Sequence, residues 1–244
     1  MLNLKDLYYS LLASVNLSTW WPADSRFEIL LGIILTQNTA WKNVVASINN
    51  LRDYGLLDIS NFLDCKKEII EGLIRPSGFM KAKSACLLEI GRAFYLYDEI
   101  YKKYDYYKLR TELLKIKGIG VESADSICLY VYEHPCFIYD KYALRTLASA
   151  QLIPMELNYS QAKIFFDKVY YSYEFTLEEA RKFHGLIVDA NKEAQIWGRT
   201  VAGKDYIDSL YTGEIICDKS MPIFLDAKWG MKCIASYLKY KGII

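Results

Sequence analysis

The six cysteines of this 244-residue chain (Cys65, Cys86, Cys128, Cys136, Cys217 and Cys233) are scattered without close pairing, which excludes a disulfide framework or a structural zinc knot. Cys86 and Cys128 fall within apolar helical patterns, where a reduced thiol packs as a small hydrophobe. The first residues, Met1-Leu2-Asn3-Leu4-Lys5, lack the basic and apolar regions of a secretory leader. No apolar run approaches the roughly 18 residues of a membrane span. A soluble, cytoplasmic protein with no membrane partner is therefore expected. Repeats, heptads and low-complexity tracts are missing, and so is any long apolar–polar alternation before residue 200. A strand-based body is thereby excluded. Excess charge is lacking too: the formal net charge is +1, so any polyanion would have to be met by a local patch.

Apolar residues are plentiful, at 52%, with 15% aromatic, enough for a substantial core. Their spacing is helical nearly throughout. Asp24 or Ser25 can cap "RFEILLGIILTQ", and Asn38 or Thr39 can cap "AWKNVVASINNLRDY", which Gly55 closes. "KKEIIEGLI" ends at the turn Arg75-Pro76-Ser77-Gly78, and the helix "KAKSACLLEIGRAFYLY" follows. Thr176 to Glu179 is a capping box for a helix reaching Gly198. Beyond Gly198 a brief strand and a short terminal helix are expected to pack on an all-α body.

One stretch carries chemistry: "LLKIKGIGVESADSICLYVYEHPCFIYDKY", Leu113 to Tyr142. It reads as two helices joined by Gly118-Ile119-Gly120, with Ile119 plugging down between them. Glycines allow a positive φ and close approach of another molecule, and the N–H groups opening the second helix suit a phosphate. Asp140 follows one short loop later. It can cap "KYALRTLASAQ", a position at which a carboxylate stays ionised and aimed. From Tyr101 to Lys117 cations (Lys102, Lys103, Lys108, Arg110, Lys115, Lys117) outnumber Asp105 and Glu112. Alone, that run would equally suit a solvated helix face.

This stretch resembles the helix-hairpin-helix signature of the endonuclease III superfamily of DNA base-excision glycosylases (HhH-GPD). "FEILLGIILTQNTAWKNV", "RPSGF" with Lys83, and "FHGLIV" resemble other family segments, so the likeness spans about residues 20 to 195. "LTQNT", "RPSGF", "DKY", "RKFHG" and the "TWW" before the first barrel helix are closest to the bacterial 3-methyladenine glycosylase branch. The resemblance implies an all-α, two-lobed fold with the active cleft between the lobes. The helical barrel would cover 26–134, the second lobe 1–25 plus 135–200, and a C-terminal extension of unknown role 201–244.

It also implies a partner: double-stranded DNA with a damaged base flipped out, bound by a monomer in the nucleoid. Asp140 would be the catalytic carboxylate, and Trp20, Trp21 and Trp41 would hold a cationic base between electron-rich rings. Gln37 would fill the gap left by the everted nucleotide; Lys83, Lys117, Gly118, Gly120 and Lys141 would contact DNA. His184 is expected to hydrogen-bond structurally. Two departures shape the chemistry. The lysine of strand-cleaving members, two residues after the second hairpin glycine, is here Glu122, and a carboxylate cannot form an imine. After His184-Gly185 come Leu186, Ile187, Val188 and Asp189, so the four thiolates of an iron–sulfur cluster cannot be assembled there. No cofactor is expected, with a monovalent cation at the hairpin left open. The resulting expectation is a monofunctional glycosylase for alkylated purines such as 3-methyladenine. Alternatives are removal of mismatched or deaminated bases, or a non-catalytic DNA-structure binder.

Overall fold

The Asn3 side chain accepts the Asp6 amide while the Asp6 carboxylate accepts the Asn3 amide, and this reciprocal cap starts α1 (Leu4–Ser14). The computed structural model describes residues 2–17, 22–212, 215–216 and 229–244. Among them the chain forms two compact units, one of Trp21–Cys136 and one of Met1–Trp20 with Phe137–Ile244.

The first of these units is entirely helical among its described residues. Ser25 caps α2 (Arg26–Thr36) by accepting the Glu28 amide. Phe27, Leu30, Leu31, Ile33, Ile34 and Leu35 of α2 are all buried, so it is the unit's central helix, packing on three others. Those three are α3 (Trp41–Asp53), α6 (Met80–Tyr101) and α8 (Val121–Tyr130). Between α3 and α6 lie α4 (Ile59–Asp64), α5 (Lys67–Leu73) and a 3-10 turn at Arg75–Ser77, and α7 (Tyr106–Leu113) precedes α8.

The start of α3 differs from expectation. Its N-cap is Ala40, which has no side-chain cap; Asn38 is left-handed at φ 50°, and the Thr39 hydroxyl bonds the Ser77 carbonyl instead. A tertiary partner outcompeted the local one.

The other unit is built around α11 (Leu177–Trp197), which opens with the Thr176–Glu179 capping box and packs on α1, α9 (Lys141–Ser149) and α13 (Trp229–Tyr240). Its core includes Leu147, Phe183, Leu186 and Ile187, all with no exposed surface. Phe137, Tyr170, Phe175 and Phe183 add ring contacts at centroid distances of 5.2–5.6 Å. α10 (Tyr159–Tyr171) lies against α9, and α12 (Val201–Leu210) leads to the two-residue strands β1 (Tyr211–Thr212) and β2 (Ile215–Ile216), which pair antiparallel. Among the described residues after 200, α13 packs into this unit's core, as expected of a terminal helix, and buries Cys233, Ile234, Ala235 and Leu238 completely. Among the described residues no helix is long and apolar enough to cross a membrane.

Candidate functional site

α7 and α8 are locked before the bend between them is considered. Asp125, fully buried on α8, accepts from the Tyr106 hydroxyl at 2.5 Å and the Arg110 Nε at 2.7 Å, both on α7. A buried carboxylate left without such donors would be strongly destabilising, so this network fixes the pairing of the two helices. Ile119 is buried at the bend, as expected for the plug. Gly118 has φ 95°, and a Cβ there would lie 2.9 Å from both Cβ and Sγ of Cys86; backbone conformation and packing both require glycine. Gly120 differs. It is the N-cap of α8 in extended conformation, and nothing lies within 4 Å of where its Cβ would be. Its missing side chain leaves open space beside the first-turn amides, which have no intrahelical partners.

The end of α2 is tied to this bend. Gln37, the C-cap, donates from Nε2 to the Gly118 carbonyl at 3.0 Å and to the Ser123 hydroxyl at 2.9 Å. Lys83 is a correction: rather than offering its ammonium to phosphate, it is only 3% exposed. Its Nζ donates to the Leu35 carbonyl (2.7 Å), the Thr39 hydroxyl (2.6 Å) and the Ser77 carbonyl (2.9 Å). All three hydrogens are spent inside the unit, and burial lowers the ammonium pKa to about 8. Four residues earlier Phe79 stands 70% exposed with left-handed backbone, φ 46°, directly after Gly78 at φ 67°. An aromatic ring held outward on a conformation rare for non-glycine residues makes Phe79 a candidate contact residue that sequence reasoning missed. The Ser-Gly-Phe turn was the available signal.

In the other unit Asp140 caps α9, its Oδ1 accepting the Ala143 amide at 2.7 Å. Its Oδ2 lies 3.9 Å from Nε2 of His184 on α11, with the carboxylate side chain 13% exposed. Asn191, two turns along α11 from His184, donates to the Tyr142 carbonyl and the Thr146 hydroxyl, which pins the first two turns of α9. Asp140 is therefore held by a cap, and the helix it caps is held in turn.

Of the remaining expected residues, Trp41 opens α3 with 39% exposure, whereas Trp20 and Trp21 lie outside the described residues. Lys117 is exposed beside the bend and enters no ion pair among the described residues; Lys141 is exposed at the first position of α9. Lys115 and Lys102 are engaged locally, with Glu112 at 2.7 Å and Glu99 at 2.6 Å. Glu122 is exposed in the first turn of α8. Residues after Gly185 do not fit an iron–sulfur cluster, because Leu186 to Asn191 are core-facing helix without a thiolate.

A helical chain whose hairpin presents a glycine bend opening onto a helix N-terminus, and whose second unit carries a capping Asp, has the make-up of a helix-hairpin-helix nucleic-acid protein. The HhH-GPD superfamily base excision DNA repair protein model matches residues 31–191, and the chain belongs to that superfamily as a DNA repair glycosylase. A Methanocaldococcus jannaschii protein catalogued provisionally as a DNA repair glycosylase is 36% identical over 192 residues, 77% of this chain and 86% of that one. Among solved structures, the H. pylori 3-methyladenine DNA glycosylase bound to 1,N6-ethenoadenine is 27% identical with a TM-score of 0.64, over 78% of this chain and 95% of that one. A trapped endonuclease III–DNA covalent intermediate shares the fold at 16% identity and a TM-score of 0.59, over 77% and 85% of the two chains.

Proposed function

We propose that this protein is a monofunctional glycosylase that hydrolyses the N-glycosidic bond of alkylated purines, such as 3-methyladenine, in double-stranded DNA. The observation that carries the reading is Asp140: one carboxylate oxygen is spent on the α9 cap, and the other lies 3.9 Å from His184 Nε2 with no closer ion pair among the described residues. Such a group can stabilise positive charge on the sugar as the base departs. The C1′–N bond breaks with its electron pair leaving on the base, a water oxygen bonds C1′, and the water's proton is released. Asp140 orients that water and never bonds the sugar.

The hairpin unit supplies anchorage. Phosphate meets the amides at Gly120 and the neighbouring Lys117 charge, contacts that contribute affinity rather than sequence choice. Phe79 is suited to wedge into the base stack and Gln37 to occupy the vacated position, since apolar wedges and polar fillers lower the cost of an everted base. A purine alkylated on a ring nitrogen carries positive charge and leaves readily without a strong general acid. Trp41 can hold that cation on its aromatic face for roughly 0.5–2 kcal/mol, the role also proposed from the sequence for Trp20 and Trp21, which lie outside the described residues. That the structurally similar H. pylori protein is a 3-methyladenine DNA glycosylase supports the substrate class. Glu122 supports hydrolysis without strand cleavage, because no amine stands where a Schiff base would form.

The test is chromatography of bases freed from methylated duplex DNA. Release of 3-methyladenine, absent with Asp140→Asn, is the expected result. Release only from uracil or mismatch duplexes would move the substrate to another class, and no release from any lesion would leave a binder.

A further inference from the structure

We infer that Lys83 is a positioning residue that bolts together the two turns carrying Gln37 and Phe79, so that both side chains enter the DNA as one rigid unit. The inference rests on the glycosylase reading above, and assigns to a buried residue the placing of half-buried Gln37 and exposed Phe79.

Three facts carry it. First, the acceptors of the Lys83 ammonium come from the two turns in question: Leu35 and Thr39 flank Gln37, and Ser77 lies two residues before Phe79. Second, the lysine backbone joins in, because the Lys83 amide donates to the Phe79 carbonyl at 2.9 Å. Third, Thr39 closes the ring. Its hydroxyl accepts from Lys83 and lies 2.7 Å from the Ser77 carbonyl and 3.1 Å from that of Gln37. Ser77 is anchored further by a 2.7 Å contact with the Ser47 hydroxyl on α3.

The partners are all neutral, and no carboxylate lies within ion-pair range of Lys83 among the described residues. A buried ammonium without a counter-charge is a costly way to fill space, and an apolar side chain of similar length would do so more cheaply. What an apolar chain lacks is three directed donors at one point. Their geometry sets the spacing of two separate turns, and a nucleotide step is intolerant of misplacement there.

Lys83→Met tests this. On a duplex with 2-aminopurine beside a stable abasic analogue, the wild-type fluorescence change reports insertion and unstacking whichever base is eventually cleaved. Lys83→Met is expected to reduce that change strongly, and to slow single-turnover base release by on the order of 100-fold, the penalty for misplacing groups by about 1 Å. Affinity for undamaged duplex should stay within about twofold. In a Gln37→Ala, Phe79→Ala background, adding Lys83→Met should cost almost nothing more, since a residue acting through those side chains has no effect once they are gone. A merely structural lysine would give the same loss in both backgrounds, and that result overturns the inference, as does an unchanged fluorescence signal. Where Lys83→Met melts below assay temperature, Lys83→Gln takes its place. A wild type that unstacks DNA but frees no alkylated base would refute the substrate proposal alone.

Discussion

The Gln37 side-chain nitrogen lies 3.0 Å from the Gly118 carbonyl oxygen, so the C-cap of α2 and the α7–α8 bend are joined by a direct hydrogen bond. Ser123, on the first turn of α8, takes the second hydrogen at 2.9 Å. The residue suited to fill a vacated base position is thus fastened to the element suited to grip phosphate. Movement of one is felt by the other.

Asp140→Asn separates chemistry from folding. Asparagine caps helices as well as aspartate, so unfolding free energy should change by about 0.5 kcal/mol or less. Base release should fall below detection while affinity for abasic-site DNA persists. Residual release above a few per cent of wild type, in a quantitative release assay, would remove Asp140 from the mechanism.

The two hairpin glycines should fail differently. Gly118→Ala meets a positive φ and the Cys86 side chain at 2.9 Å, and should destabilise the protein by about 2 kcal/mol or more. Gly120→Ala has room in the free protein and should cost about 1 kcal/mol or less, yet its methyl would crowd phosphate and weaken DNA binding. Chemical denaturation beside duplex titration distinguishes them; equal behaviour of the two variants would contradict this division.

Under the proposed monofunctional reading, Glu122 governs the fate of the abasic product. The wild-type protein should give no covalent DNA adduct on borohydride treatment, only alkali-labile sites. Glu122→Lys places an amine on the exposed first turn of α8 and should permit trapping, at a helix cost of about 0.3–1 kcal/mol. A trapped wild-type adduct would disprove the monofunctional assignment.

The buried Lys83 predicts a pH signature. Its pKa is lowered to about 8 in the folded protein, while the unfolded chain keeps the ordinary value near 10.5. Between those values the unfolded state binds more protons, so stability rises with pH through this window; below about pH 8 both states are charged and the full burial penalty applies. Relative to Lys83→Met, the wild type should gain roughly 1–3 kcal/mol from pH 8 to 10.5. Parallel urea curves for the two proteins across that range would contradict the shift.

Local signals were readable in the sequence where the interaction is itself local. Ser25, Thr176 and Asp140 cap helices because their partners lie three residues away, and Ile119 is buried because a glycine bend leaves it nowhere else. Lys83 was misread because charge normally signals solvent, and two of its three acceptors, Leu35 and Thr39, belong to a turn far off in sequence, while only Ser77 lies in its own neighbourhood. Thr39 failed as a cap for the same reason. Phe79 was hidden because apolar residues usually turn inward; only the left-handed backbone after Gly78 reveals that it does not. The place of α13 in the core depended on packing against α9 and α11, which no short window of sequence records.

Asp140 closes a helix with the same side chain that the proposed mechanism turns to the sugar, and on that reading asparagine satisfies the first duty while forfeiting the second. A cell carrying that single replacement would accumulate a sound, long-lived protein that finds lesions, sits on them and shields them from other repair enzymes. Loss of this one oxygen would therefore be more harmful than loss of the whole polypeptide.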